Sequence, residues 1–272
     1  GWVDNCRVCI NGLKYDASSG SYPVPTTEPP TSIVPQEWLC FDTREIDIVR
    51  SPLVNDGFDR YYWAGVGERP QMNTAARIHA QLPPYWLGIP IPAAAPGVTP
   101  PAGVNETRAY VYTFESTFGE EGQPSPPTLA EGATTGDWEI TGLPTAAPDS
   151  GSRSVVFINI YRTVPGFAST SFFHIEKIAI DAGSYTDSVT NEDAANNPIL
   201  ESTSWSEPPS DMEGMVVMPN GYLVGWAGRR LLFSEPYRPH AWPVQYELST
   251  EFDIVGLAVF GSTLVICTES HP

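Results

Sequence analysis

The amino-acid sequence predicts an all-β protein that combines antiparallel meanders with one separate β-sandwich. Short apolar runs alternate with tight-turn signals along most of the chain. The 28 prolines and 23 glycines among 272 residues interrupt helices and central strands. No long segment has the clear 3.6-residue periodicity of an amphipathic helix. A chain of this length holds one large domain or two to three small ones, and it can bury an adequate core.

The net charge limits the classes of partner. There are 32 acidic and 14 basic residues, which gives a formal charge of −18. Ordinary nucleic-acid binding needs a cationic surface that displaces counterions from phosphate, so the balance argues against it. The acidity can serve solubility alone. Alternatively, an acidic wall repels DNA, so that DNA slides past it without sticking.

Residues 1–104 are predicted to form a β segment that ends in a proline- and alanine-rich linker. The predicted strands here are Trp2–Leu13, Trp38–Phe41, Ile46–Val49 and Arg60–Ala64, with turns at Asn11-Gly12 and Asp56-Gly57 and a surface loop over Ser18–Pro35. Gln71–Gln81 is the one stretch with modest helix propensity.

The aromatic run Tyr61, Tyr62 and Trp63 lies within one of these strands. Three adjacent aromatic rings can form a contact surface, for example for stacking on sugars. Strand core is the more frequent role of such a run. We therefore keep both interpretations.

Residues 105–200 are predicted to form the β-sandwich. Arg108–Phe118 alternates, with Tyr110, Tyr112 and Phe114 on one face of the strand. Further strands are predicted at Trp138–Leu143, Val155–Arg162 and Phe172–Ile180, and Ser184–Asp187 closes the unit. Short strands at this spacing are typical of a small sandwich. Asn191–Ser206 is polar and predicted to be a loop.

Residues 201–272 are predicted to form meander strands of the kind found in β-propeller blades. In Met218–Pro243, Pro219-Asn220-Gly221 marks a turn before the apolar runs Tyr222–Trp226 and Leu231–Ser234. Ile254–Phe260 and Leu264–Cys267 repeat the pattern around Gly261. The chain opens inside one strand-like run and stops after another, so we expect a truncated or processed polypeptide.

Five residues of this region are candidates for a subunit interface. Arg229 and Arg230 lie in a turn, where they can contact a neighbour or simply face solvent. Tyr237, His240 and Trp242 belong to a cluster of aromatic residues and prolines. Rigid aromatic side chains suit an interface because little entropy is lost when they bind. Packing between blades explains the cluster equally simply.

No residue pattern indicates catalysis, a metal or a cofactor, and we predict that the protein is not an enzyme. The cysteines are Cys6, Cys9, Cys40 and Cys267; Cys6-x-x-Cys9 has no second close pair, so ordinary buried thiols are expected. The paired acids, such as Glu120-Glu121, are predicted to be solvated loop residues. No apolar run is long enough to span a membrane.

Several sequence phrases resemble the tail nozzle (tail tubular protein B-like) proteins of short-tailed bacteriophages. These phrases are DRYYWAG at 59–65, LGIPIPAAAP at 87–96 and Met218–Pro243 followed by IVGLAVFGSTLVICT at 254–268. Within the sandwich region, YVYTF at 110–114, GEEGQPSPP at 119–127, WEITGLP at 138–144, INIYRT at 158–163 and SYTD at 184–187 resemble a fibronectin type III-like module. The resemblance touches most of the chain, but its motifs are structural.

The resemblance implies a partial β-propeller with an inserted fibronectin III-like β-sandwich. It also implies a virion tail protein, made in the host cytoplasm and assembled as a homo-oligomeric ring, usually of six copies. Such a ring would contact tail adaptor and fibre proteins and let DNA pass through its lumen without specific binding. Two alternatives stay open. The first is a carbohydrate-binding or glycan-degrading phage protein, and the second is a tail hub or fibre-attachment protein.

Overall fold

The computed structural model describes residues 7–9, 38–41, 45–65, 67–166 and 171–270. Strands account for 44% of it, every sheet is antiparallel, and no sheet closes on itself. The helices among the described residues are the short α1, Ala75–His79, and α2, Asn191–Ala195. The predicted all-β class is therefore confirmed.

The strands fall into three groups along the chain. Those before the sandwich are β1 Arg7–Cys9, β2 Trp38–Cys40, β3 Ile46–Arg50, β4 Arg60–Gly65, β5 Glu68–Thr74 and β6 Tyr85–Trp86. Those of the sandwich are β7 Gly97–Thr99, β8 Glu106–Ser116, β9 Thr128–Gly132, β10 Trp138–Thr141, β11 Val155–Thr163, β12 Phe172–Ala179 and β13 Tyr185–Asp187. Those after it are β14 Gly214–Val217, β15 Leu223–Ala227, β16 Arg230–Phe233, β17 Leu248–Ser249, β18 Ile254–Phe260 and β19 Thr263–Thr268.

Strands β3 to β6 form a four-stranded meander in chain order, here named the N-terminal sheet. The predicted strands Ile46–Val49 and Arg60–Ala64 lie within it. Within Gln71–Gln81, the stretch with modest helix propensity, Ala75–His79 is helical, whereas the first four residues complete β5. Met72 pairs with Tyr62 there and is buried, so tertiary packing overrides a weak helix propensity.

Strands β14 to β17 form a second four-stranded meander, the C-terminal sheet, and β18 and β19 form the terminal hairpin. The turns lie where the sequence predicts them. Gly221, Gly228 and Gly261 take φ values of 88°, 57° and 59°, a region that glycine enters without steric penalty. The predicted meander strands of this part of the chain are confirmed.

The N-terminal sheet, the C-terminal sheet and the terminal hairpin pack in sequence. One core joins the first two sheets and contains Tyr62, Met72, Leu87, Met215 and Leu223. A second core joins the C-terminal sheet to the hairpin through Trp226, Leu231 and Ile254. The leading strands β3, β14 and β18 therefore lie side by side. At Gly214 in β14, a Cβ atom would lie 1.9 Å from the Trp226 ring, so this close approach requires glycine.

The sandwich consists of two sheets with strand orders β13-β10-β7 and β12-β11-β8-β9. Tyr110, Tyr112 and Phe114 face its core, as the alternation in β8 predicts, and pack with Trp138 and Ile160. The first sheet also takes in β7, because Gly97–Thr99 pairs with β10. The sandwich thus begins before residue 105, within the predicted linker.

One predicted loop needs correction, and several other predicted segments lie wholly or partly outside the described residues. The loop predicted over Asn191–Ser206 contains α2, which Thr190 caps by accepting a hydrogen bond from the Asp193 amide, and a 3-10 turn at Ser202–Ser204. The predicted loop Ser18–Pro35 and the turn Asn11-Gly12 lie outside the described residues. Of the predicted strand Trp2–Leu13, the structure describes only Arg7–Cys9. No helix in the described part of the chain is long and apolar enough to cross a membrane.

Candidate functional site

A cavity of about 590 Å³ lies where the three leading strands begin. Its walls come from the N-terminal sheet, the C-terminal sheet and the terminal hairpin. Five carboxylates line it, Glu45, Asp47, Glu213, Asp253 and Glu269, together with Trp226 and Ile254 to Leu257. Among the described residues, its lining includes no lysine, arginine or histidine. We call it the acidic cavity.

The carboxylates of the acidic cavity differ in environment. Burial raises the pKa of Asp47, although its carboxylate accepts a hydrogen bond of 3.2 Å from the Met215 amide. Asp253 is exposed and pairs with Arg229, whose Nε lies 3.0 Å from Oδ1. Glu45 and Glu269 are exposed at the rim. One arginine near five acids leaves the cavity strongly negative.

Three of the five predicted interface residues are at the surface of the single chain. Arg229 is exposed, and Arg230 lies within 3.1 Å of Asp211 and 3.6 Å of Glu247. Tyr237 is 50% exposed and has a φ of 58°. A Cβ atom on Gly221 would lie 2.6 Å from the Tyr237 ring, so the turn glycine makes room for this aromatic side chain. These three residues are available to a neighbour.

The other two predicted interface residues need correction, because His240 and Trp242 are buried within the chain. Trp242 is 3% exposed, belongs to the core between the first two sheets and donates an Nε1 hydrogen bond of 2.9 Å to the Pro239 carbonyl. The His240 ring packs edge-on against Trp205. For these two residues, internal packing rather than a subunit interface therefore explains the cluster.

The predicted aromatic contact surface also needs correction. Tyr62 is fully buried, and Trp63 is 2% exposed with its ring edge-on to Phe41 at 5.9 Å. Tyr61 lies on the same face of β4 as Trp63 but is only partly buried. Alternation along β4 places neighbouring rings on opposite faces, so the three cannot form one surface.

The carbohydrate-binding alternative is motivated by the eight tryptophans and twelve tyrosines of the sequence and by its acidic loops. Among the tryptophans whose side chains the structure describes, Trp63, Trp138, Trp205, Trp226 and Trp242 are buried. Trp86 is partly buried between the guanidinium groups of Arg69 and Arg153, at 4.6 and 5.2 Å from its ring centre. The described residues therefore present no exposed tryptophan platform.

A buried charged cluster, here the junction cluster, was not predicted from the sequence. It consists of Asp56, Arg60, Glu120 and His240, from the N-terminal sheet, the sandwich and the connection between β16 and β17 of the C-terminal sheet. Arg60 donates hydrogen bonds of 2.8 Å to Asp56 and 2.6 Å to Glu120. Glu120 is 7% exposed, so its expected role as a solvated loop acid is wrong. Its neighbour Glu121 is also partly buried and accepts a hydrogen bond of 2.7 Å from Tyr161.

Burial changes the pKa values in the junction cluster in opposite directions. It raises the pKa of Glu120 to about 7, with the charge of Arg60 opposing the shift and that of Asp56 adding to it. It lowers the pKa of His240 to about 3. For Asp56, burial would raise the pKa, but hydrogen bonding and the charge of Arg60 outweigh it and lower the value.

A second ionic contact also joins the sandwich to the sheets. Arg153 of the sandwich pairs with Glu207, which lies 3.0 Å from Arg69 of the N-terminal sheet. Arg153 also donates a 2.9 Å hydrogen bond to the Gly88 carbonyl. Across the same boundary, the Trp86 amide donates to the Ser152 carbonyl at 2.9 Å. The sandwich is therefore tied to the sheets at two places.

A third ionic cluster lies inside the sandwich. Asp187 is fully buried; its Oδ2 lies 2.9 Å from Arg162 Nε, and it accepts a 2.6 Å hydrogen bond from the Tyr110 hydroxyl. Arg108 stacks on Trp138 at 4.5 Å and pairs with Glu106. Its charged groups are paired with one another within the sandwich core, so we interpret the cluster as structural.

The described residues contain no group of three or more His, Cys, Asp or Glu side chains arranged to hold a metal ion. Cys267 is a free, partly buried thiol. The prediction of buried thiols at Cys6, Cys9 and Cys40 concerns side chains outside the described residues.

Comparison with known proteins adds no relative to this picture. No protein-family model matches the sequence, and no curated protein matches it.

Proposed function

We propose that this chain is a structural component of the tail of a short-tailed bacteriophage, and that it forms part of a nozzle-like ring around the channel through which DNA leaves the virion. The proposal rests on the sequence resemblance together with the sheet arrangement. It assigns no catalytic residue and no cofactor, because assembly surfaces perform the work.

The observation that carries the proposal is the side-by-side position of β3, β14 and β18. In a β-propeller, four-stranded meanders surround a central channel. Two successive four-stranded meanders and a third hairpin, joined face to face by buried cores, are consistent with consecutive blades. On this interpretation the leading strands are the innermost strands.

The position of the sandwich is consistent with an insertion between blades. Tyr62 and Leu87, before the sandwich, share a core with Met215 and Leu223, after it. The chain thus leaves the paired sheets, builds a seven-stranded double sheet and returns. A double sheet of about seven short strands is the architecture of fibronectin III-like modules. We propose that it faces outward from the ring.

The acidic cavity lies at the ends of the leading strands, and thus at one end of the proposed propeller axis. We propose that this end of the propeller faces the DNA path of the ring. These carboxylates repel the phosphate backbone. Because they do not neutralise phosphates, no counterions are released from the DNA, and counterion release is the main source of nonspecific affinity. DNA therefore passes without being held. Tail adaptor and fibre proteins remain the proposed neighbours, with the exposed Arg229 and Tyr237 and the partly exposed Arg230 among the proposed contact residues.

Reversing charge in the acidic cavity tests this function. We expect phage particles that carry Glu45→Lys, Glu213→Lys and Glu269→Lys together to eject DNA more slowly, by roughly tenfold or more, because three lysines add three phosphate contacts. The measurement is time-resolved release of dye-labelled DNA from purified particles.

The matched control places three lysines on exposed acids of the sandwich, at Glu131, Asp137 and Glu139. Its net charge change is identical, and normal ejection is expected. Equal slowing by both triple variants, or no slowing by the cavity variant in assembled particles, would contradict a DNA-facing role for the cavity.

A further inference from the structure

The junction cluster is the place where three separate parts of the chain meet. Arg60 comes from β4, Glu120 from the turn after β8, and His240 from the segment after β16. His240 Nδ1 lies 3.7 Å from Glu120 Oε1. Phe118, next to Glu120 in the same turn, packs against the core between the two four-stranded sheets. Docking of the sandwich therefore buries the cluster.

Other polar groups surround these side chains. Ser116 Oγ accepts a hydrogen bond of 3.2 Å from the Glu120 amide and lies 3.5 Å from Glu120 Oε2. The Tyr62 hydroxyl and the Glu121 main chain also face the cluster. Arg238 lies at the exposed rim, stacked on Trp205 at 4.2 Å and 3.4 Å from Glu201. None of these groups supplies a second buried cation.

Charge counting shows why the proton on Glu120 matters. Arg60 carries one positive charge, Asp56 is ionised, and buried His240 is neutral, since its pKa falls to about 3. With Glu120 protonated, the cluster is neutral. With Glu120 ionised, two carboxylates share one guanidinium, and one negative charge stays buried without compensation. Burying an uncompensated charge is strongly unfavourable.

We propose that the junction cluster is a pH-sensitive clasp, which holds the sandwich against the two sheets while Glu120 is protonated and loosens when Glu120 ionises. This inference does not depend on the proposed tail function, because it concerns a contact within one chain. The carboxylic acid form can also donate a hydrogen bond toward the neutral His240 ring after a small side-chain shift.

The direction of the pH effect follows from the sign of the shift. The pKa of Glu120 rises from 4.5 when solvated to about 7 when docked, so docking takes up a proton between these values. The Glu120 contribution to docking is therefore fully present below pH 4.5 and is lost as the pH rises through 7. His240 acts in the opposite direction, but only below about pH 6.5, where the released ring becomes charged.

Amide hydrogen exchange tests the clasp directly. The Trp86 amide is a suitable reporter, because it donates to Ser152 across the boundary between N-terminal sheet and sandwich. After correction for intrinsic exchange, we expect its protection in the wild-type chain, relative to that in Glu120→Gln, to fall about tenfold from pH 6 to pH 8, the change that linkage gives for a docked Glu120 pKa near 7. The comparison is made with Glu120→Gln because His240 loses its proton over the same interval in both chains and raises protection equally in both. A ratio unchanged over this interval would overturn the proposal.

Two variants separate the clasp from general stability. Glu120→Gln keeps the shape but cannot ionise, so its Trp86 protection should not fall from pH 6 to pH 8, whereas Glu139→Gln on the exposed sandwich surface should behave like the wild-type chain. In Asp56→Asn, Glu120 is the only carboxylate of the cluster that pairs with Arg60, so the pKa of Glu120 should be lower. The pH at which Trp86 protection decreases should therefore move below 7. The Asp56 variant keeps the test decisive if the Glu120 variant fails to fold. A wild-type fall in Glu120→Gln, or an unmoved midpoint in Asp56→Asn, would overturn the clasp.

Discussion

Replacing Asp187 by Asn is expected to lower the free energy of unfolding of the sandwich by about 3–5 kcal/mol, the range found when a buried ion pair loses one partner. Asp187 and Arg162 are both fully buried, and Arg108 lies 3.6 Å from the same carboxylate oxygen. The neutral amide removes the carboxylate that is paired with Arg162 and leaves that buried charge only neutral acceptors, such as Asn191 Oδ1 and the Val189 carbonyl. Burial already lowers the pKa of Arg162, which shows how poorly the charge is solvated.

Urea denaturation followed by tryptophan fluorescence measures this effect, because Trp138 stacks on Arg108 within the same cluster. The matched control is Asp137→Asn, an exposed carboxylate beside β10, which should change stability by less than about 0.5 kcal/mol. A loss below about 1 kcal/mol for Asp187→Asn would mean that the cluster is not buried as described.

The second large effect is expected at Trp63, once a candidate for an exposed contact surface. Trp63→Ala should destabilise the N-terminal sheet by about 3–5 kcal/mol, as truncation of a buried tryptophan leaves a cavity and removes many contacts. Tyr61→Ala, two residues earlier on the same face of the strand but only partly buried, should cost distinctly less. Urea denaturation of both variants compares the two positions.

The opposite order would contradict the buried position of Trp63. If Tyr61→Ala lowered the free energy of unfolding more than Trp63→Ala, Trp63 would not be the more deeply buried of these two β4 side chains. If Trp63→Ala left stability intact but abolished assembly with a partner, the original contact-surface interpretation would regain its support.

Local patterns in the sequence predicted most of the meander strands correctly. Turn glycines such as Gly221 and Gly261 separate short apolar runs, and both the turn and the run act over a few neighbouring residues. The alternation of Tyr110, Tyr112 and Phe114 likewise identifies one face of β8. Such signals need no knowledge of distant contacts.

The errors concern residues whose environment depends on distant parts of the chain. Strand β5 has the polar sequence Glu-Arg-Pro-Gln-Met-Asn-Thr, and it is a strand because β4 and β6 pair with it on both sides. Glu120 follows a strand in a glycine-containing turn, which is typical of a solvated acid. Its partner Arg60 is 60 positions away, so no local spacing predicts the ion pair.

The candidate site was predicted least well for the same reason. The acidic cavity combines Glu45, Glu213 and Asp253, which come from three different sheets or their connections. Composition indicated that acids are abundant but not which of them converge. The aromatic cluster around Trp242 carried a clear composition signal, yet composition alone does not distinguish a buried cluster from an interface.

The central claim is that this chain lines a DNA channel, and a cryo-EM reconstruction of the native particle that contains it tests this claim most directly. We predict a closed ring on the particle axis, with the acidic end of each propeller facing the lumen and the sandwich outside. Isolated copies on a peripheral appendage would contradict the claim and favour fibre attachment or glycan binding. A ring with a neutral or basic lumen would contradict the proposed role of the acidic residues.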